Sequence, residues 1–178
     1  PLGSTNMFIA QWDHSGNFQW GRRGGGGATL GYGIAASGSD IYVTGSFRGS
    51  ANFNNPSASG SNEIFSVGTA QDMFLAKYSD TGTFQKAIRG GGGQEDYGWS
   101  VAASGDNVYV GGNFRQTANF NNPSASGSNE VSTIAITGDA FVAGYSISSL
   151  PIELLSFKGQ HTESGNLLTW TTASEIQN

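Results

Sequence analysis

Apolar and polar residues alternate from Asn6 to Trp12, with Phe8, Ala10 and Trp12 on one face and Met7, Ile9 and Gln11 on the other. A period of two predicts a strand. Ser15-Gly16 supplies a turn, and Asn17 to Arg22 forms the second arm of a hairpin. The pattern returns as Asp72 to Ser79, a turn at Thr81-Gly82, and Thr83 to Arg89. A second kind of hairpin joins Tyr32–Ser37 to Ile41–Phe47 through Gly38-Ser39-Asp40, and Trp99–Ser104 to Val108–Phe114 through Gly105-Asp106-Asn107. The first arms of these hairpins are rich in small residues, Gly33-Ile34-Ala35-Ala36 and Ser100-Val101-Ala102-Ala103. Small side chains suit the crowded centre of a radial array of sheets.

These patterns recur because the sequence recurs. Ala51 to Glu63, ANFNNPSASGSNE, returns unchanged as Ala118 to Glu130, a period of 67 residues. Ile41-Tyr42-Val43-Thr44-Gly45-Ser46-Phe47-Arg48 is echoed by Val108-Tyr109-Val110-Gly111-Gly112-Asn113-Phe114-Arg115 at the same spacing. Met7-Phe8-Ile9-Ala10 and Met73-Phe74-Leu75-Ala76 align one residue closer, so a single insertion falls between the glycine run and the Ala-Ala-Ser-Gly segment. A third copy opens at Asp139-Ala140-Phe141-Val142. Self-similarity at this period predicts units that bury their apolar faces only against neighbours, and four strands per unit in two hairpins are those of a propeller blade. The expected fold is therefore all-β, with about two and a fraction propeller blades. The runs Gly24–Gly27 and Gly90–Gly93 are read as flexible crossings between sheets, since neither continues into the Gly-Lys-Ser/Thr of a phosphate loop.

Composition narrows the function classes. Charged residues make up 12% of the 178 and glycines number 28, a mixture suited to short, turn-rich strands rather than helices. The net charge of −5 offers no basic patch, so nucleic acid is not an expected partner. No apolar run approaches the roughly 20 residues of a membrane span, and no insertion is expected. The absence of cysteine removes disulfides and zinc thiolates. Residues 1–4, Pro1-Leu2-Gly3-Ser4, read as the remnant of a cleaved fusion tag.

Asp72-Met73-Phe74-Leu75-Ala76-Lys77-Tyr78, Gly82, Arg89-Gly90-Gly91, Asp96-Tyr97-Gly98 and Val108-Tyr109-Val110-Gly111-Gly112-Asn113-Phe114 together resemble the bacterial β-propeller repeats called SBBP. The resemblance spans roughly Asn6 to Ile147 and implies propeller blades with no established catalytic activity. The first copy departs in carrying Asn6 at the strand-opening position that Asp72 holds in the second. Leu150-Pro151-Ile152-Glu153-Leu154-Leu155-Ser156-Phe157-Lys158-Gly159, followed by Asn166-Leu167-Leu168-Thr169-Trp170-Thr171-Thr172-Ala173-Ser174-Glu175, is similar to the opening of the sandwich-like module that precedes type IX sorting domains in Bacteroidetes proteins. These resemblances divide the chain into blades over 5–147 and a linker with a truncated sandwich-like hairpin over 148–178. They imply a parent protein that is secreted or held on the outer cell surface.

Candidate chemistry is sparse. His14 sits on a hairpin turn where the second copy has Asp80, which reads as a surface histidine, and the adjacent Glu95 and Asp96 read as a solvated pair on a glycine-rich loop. No calcium loop and no recurring ligand pair is present, so neither metal nor cofactor is expected. Tyr32 and Trp99 share a repeat position. Such aromatics serve either as core or, on a rim, as platforms for sugar rings. The duplicated loop offers Asn52, Asn54, Asn55 and their equivalents Asn119, Asn121, Asn122. Either they form a recognition surface, or they bond the loop backbone while Phe53 and Phe120 pin it. The sequence thus predicts a non-enzymatic binding or adhesion protein that forms homo-oligomers through open blade edges, with a glycan or surface protein as ligand. A propeller lectin, a scaffold portion of an enzyme whose catalytic residues lie elsewhere, and a plain spacer remain the alternatives.

Overall fold

A computed structural model describes residues 5–54, 62–120, 130–133 and 137–146, and the backbone of 154–162 and 165–172. The chain divides into two compact units, Pro1–Ser146 and Ile147–Asn178. In the first lie β1 (Met7–Trp12), β2 (Phe18–Ser37), β3 (Asp40–Asn52), β4 (Glu63–Phe65), β5 (Asp72–Ser79), β6 (Phe84–Gly92), β7 (Tyr97–Ser104), β8 (Asn107–Phe114), β9 (Thr117–Asn119), β10 (Glu130–Ser132) and β11 (Asp139–Ser146). The second contains the antiparallel hairpin β12 (Leu154–Thr162) and β13 (Gly165–Thr172), in which Phe157 pairs with Trp170. Among the described residues the architecture is all-β and antiparallel, with no helix, and the sheets are open rather than closed into a ring.

Register carries the repeat into three dimensions. β5 pairs with β6 from Met73↔Gly90 to Tyr78↔Phe84, and β1 pairs with β2 from Met7↔Gly24 to Trp12↔Phe18, with an irregularity at the same step in each. β3 and β5 pair from Asp40↔Ser79 to Phe47↔Asp72, and β8 and β11 from Asn107↔Ser146 to Phe114↔Asp139, each offset by the repeat length. Even the bulge between Gly31 and Gly33 has its counterpart between Gly98 and Ser100. A one-residue slip would turn every apolar side chain outward, so shared register means shared core positions.

That core joins neighbouring repeats. Met7 and Ile9 from β1 pack with Val43, Phe47, Ala51, Phe53, Phe74, Ala76 and Tyr78, flanked by Trp20, Ile41 and Phe84. The predicted alternation of β1 holds, with Met7 and Ile9 buried and Phe8 exposed. Trp20 Nε1 donates to the Asp80 carbonyl at 2.8 Å, and Arg22 Nε donates to the Gly82 carbonyl at 2.8 Å, so the first hairpin grips the turn of the second. On the other side β7 lies against β2: a Cβ on Gly33 would stand 3.1 Å from Ser100 Cα.

The glycine runs correct the sequence reading. β2 continues unbroken from Phe18 to Ser37, so Gly24–Gly27 lie inside a ladder instead of forming a flexible crossing. Their role is close approach, since a Cβ on Gly27 would collide with the Arg48 carbonyl. Gly90, Gly91 and Gly92 likewise end β6, and only Gly93 to Asp96 separate it from β7.

Candidate functional site

Tyr97 and Trp99 stack on one side of β7, where Trp99 is the extra residue of the bulge between Gly98 and Ser100, and the packing of β7 against β2 carries them to Tyr32. The Tyr32 and Trp99 rings lie 4.6 Å apart at 38°, and Trp99 stacks on Tyr97 at 5.1 Å and 13°. Tyr32 remains 37% exposed and Trp99 48%. Polar groups surround the cluster: Trp99 Nε1 donates to Asn113 Oδ1 at 2.6 Å, and Ser46 Oγ bonds the Tyr32 hydroxyl at 3.3 Å and Gln71 Oε1 at 2.9 Å. Burial and the nearby Glu95 carboxylate raise the Tyr97 phenol above its usual range, keeping it a neutral donor. The sequence pointed to Tyr32 and Trp99. It missed Tyr97, although its spacing of two from Trp99 was the available signal.

What holds this cluster in place is a buried polar cradle at the end of β6. Asp96 is fully buried, which overturns its reading as a solvated carboxylate. Its Oδ2 accepts from the Gly92 N–H at 2.7 Å and its Oδ1 from the Arg115 N–H at 3.2 Å, while its own N–H donates to the Gln71 carbonyl at 2.7 Å. This residue thereby ties β6 and the end of β8 together through its side chain, and the segment before β5 through its backbone N–H, just ahead of Tyr97. Glu95 points the other way and forms an exposed ion pair with Arg115 at 2.9 Å.

Asp72 shares the cradle. It is fully buried, and its Oδ2 accepts from the Val67 N–H at 2.8 Å and lies 3.4 Å from Arg89 Nη1. Its Oδ1 is buried without a hydrogen-bond partner. Gly91, at φ +141°, faces both acids: a Cβ there would stand 2.6 Å from Asp96 Oδ2 and 2.9 Å from Asp72 Oδ1. Burial raises the Asp72 carboxyl to about 7 and Asp96 to about 6. For Asp72 the Val67 N–H and the Arg89 guanidinium pull against burial, and the Asp96 charge adds to it. For Asp96 the Gly92 and Arg115 N–H groups oppose burial, and Glu95 adds to it.

The first repeat builds the same cradle from neutral groups. Gly25, at φ +138°, faces Asn6 Oδ1 and Thr29 Oγ1, which stand where Asp72 and Asp96 stand one repeat later. The duplicated loop begins at these cradles, because Asn52 pairs with Gly25 across the ladder and Asn119 pairs with Gly91. Both asparagines are buried, and the Asn54 N–H donates to Asn52 Oδ1 at 3.0 Å. Phe53 is fully buried, with its ring 4.5 Å from Phe74 and its carbonyl accepting from the Tyr78 hydroxyl at 2.8 Å. Phe120 stacks on Phe141 at 4.0 Å. Asn54 is exposed. Asn55, Asn121 and Asn122 lie outside the described residues.

His14 is exposed on its turn, as the sequence predicts. Among the described residues no cluster of three or more His, Asp or Glu could ligate a metal, and no helix is long and apolar enough to cross a membrane. Comparison with protein-family models and with curated proteins finds no match to this chain.

Proposed function

We propose that this chain is a non-catalytic binding module of propeller-type blades, secreted or displayed on a bacterial surface, that takes carbohydrate on the Tyr32–Trp99–Tyr97 cluster. The observation that carries this reading is the convergence of Tyr32 and Trp99, from equivalent positions of successive repeats, into a partly exposed aromatic surface. Aromatic surface beside amide and hydroxyl groups suits sugars, whose C–H faces stack on rings while their hydroxyls bond polar side chains. Asn113 and Gln71, beside the rings, would supply those bonds, while buried Ser46 holds Tyr32 and Gln71 in position. The resemblance to SBBP repeats supports the blades, and the resemblance of Leu150–Glu175 to the module before type IX sorting domains supports the extracellular setting. In the same reading, copies of the chain associate with one another, as sheets left open at their ends invite.

A glycan array followed by titration calorimetry tests the ligand. Trp99→Ala should weaken binding of the selected glycan by at least about tenfold, as removal of an aromatic anchor does. Trp12→Ala, at an exposed aromatic of the first hairpin, should leave that affinity unchanged. Equal affinity of the Trp99 variant and the parent would refute the site, and turnover of the bound glycan would refute the non-catalytic role.

A further inference from the structure

Each sheet has two faces, and the internal repeat shows what each is built to touch. One face carries Met7 and Ile9 in the first copy, Met73 and Leu75 in the second, and Ala140 and Val142 in the third. The other carries Phe8 and Trp12, then Phe74 and Tyr78, then Phe141 and Tyr145. Two joints within the chain bring unlike faces together. Met7 meets Phe53 of its own copy and Tyr78 of the next around Gly24, all three within 3.4 Å of the position a Cβ would take there. Met73 meets Phe120 of its own copy around Gly90 in the same way, within 3.2 Å, and Phe120 stacks at 4.0 Å on Phe141 of the third copy. The methionine face of one repeat therefore always covers the phenylalanine face of the next.

At the two ends of this stack one face of each kind stays uncovered. On the first hairpin Phe8 is 77% exposed and Trp12 54%, with Phe18 packed edge-on against Trp12 at 5.8 Å. On the third sheet Val142 is 78% exposed, and Tyr109, paired across β8 and β11 with Gly144, is 51% exposed. Within the stack every counterpart is covered: Phe74, Tyr78 and Tyr42 are fully buried, Leu75 is buried, and Phe84 packs on the core. These are therefore joint residues without a joint, and contiguous apolar surface of this kind marks an interaction site.

We infer that the Val142–Tyr109 face of one copy docks on the Phe8–Trp12–Phe18 face of another, head to tail, repeating the joint the chain makes twice within itself. This rests on the self-association proposed above and places it on sheet faces instead of strand edges. The contact is heterologous, because two different patches meet, so copies close into a ring or extend as a filament according to the rotation per joint.

Sedimentation velocity on the whole chain over a micromolar concentration series tests this, with the parent, Phe8→Lys and Val142→Lys. Both substituted side chains are exposed in the single chain, so circular dichroism should match the parent. The parent should form species larger than a monomer, and each variant alone should sediment as a monomer, because every copy in it lacks one of the two faces the joint needs; a parent-like series in either variant would overturn the joint. An equimolar mixture should yield a one-to-one pair, because the first variant keeps the Val142 face and the second keeps the Phe8 face. A double variant, Phe8→Lys with Val142→Lys, should be monomeric throughout. A monomeric parent would overturn self-association altogether. Full assembly surviving in the double variant would overturn the faces while leaving association through edges standing.

Discussion

Replacing Asp72 with Asn should remove most of the dependence of stability on pH between 5 and 8. Both cradle carboxyls have folded-state values, about 7 for Asp72 and about 6 for Asp96, above the ordinary 3.8. The folded chain therefore holds more protons than the unfolded chain across roughly pH 4 to 7, and stability falls as pH rises through that window. Integrating the linkage from pH 8 to pH 5 gives about 3 kcal/mol from Asp72 and about 1 kcal/mol from Asp96, near 4 kcal/mol together. The asparagine variant keeps only the Asp96 part. Asn retains an acceptor for the Val67 N–H, and Asn6 already occupies the equivalent place in the first repeat, so the fold accommodates it. It loses the 3.4 Å contact of charge with Arg89, which offsets part of the gain. Urea unfolding followed by tryptophan fluorescence at pH 5 and pH 8, at one ionic strength, reads the difference. The parent should be several kcal/mol more stable at pH 5, and the variant should surpass the parent at pH 8. A parent no less stable at pH 8, or a variant that loses as much as the parent, refutes the cradle argument.

Two further substitutions probe the same region by urea unfolding. Gly91→Ala places a methyl within 3 Å of both cradle carboxylates at φ +141° and should cost about 2 kcal/mol or more, whereas Gly93→Ala, with open space around it, should change stability by less than about 0.5 kcal/mol. Tyr78→Phe leaves the buried Phe53 carbonyl without its donor and should cost about 1–3 kcal/mol.

Alternation placed β1, repetition placed β7, β8 and β11, and β3 and β5, which are buried on both faces, were legible because each has a copy in the other repeats to check it. The glycine runs were misread for a physical reason: a glycine chosen for close approach of two backbones looks, in sequence, like a glycine chosen for freedom. Asp96 was misread because burial of a carboxylate depends on which N–H groups the fold turns toward it, here those of Gly92, four residues before it, and Arg115, nineteen after it. Tyr32 and Trp99 were legible as a shared repeat position, but their 4.6 Å approach follows from β7 lying against β2, which is a tertiary fact. The loop's identity across copies finds its partial account in Phe53, Phe120, Asn52 and Asn119, all of which the fold uses at its base.

The unbroken β2 also bears on how the molecule comes apart. Its residues serve β1 at one end and β3 at the other, so the first hairpin and the first sheet share a single backbone rail and should open and close as one cooperative unit. The second repeat carries one more residue between Gly91 and Asp96 than the first has between Gly25 and Thr29, and there the rail is cut into β6 and β7. That one inserted residue turns a rigid coupling into an articulated one. Amide exchange should accordingly find β7, β8 and β11 loosening at a lower free energy than β1 through β6.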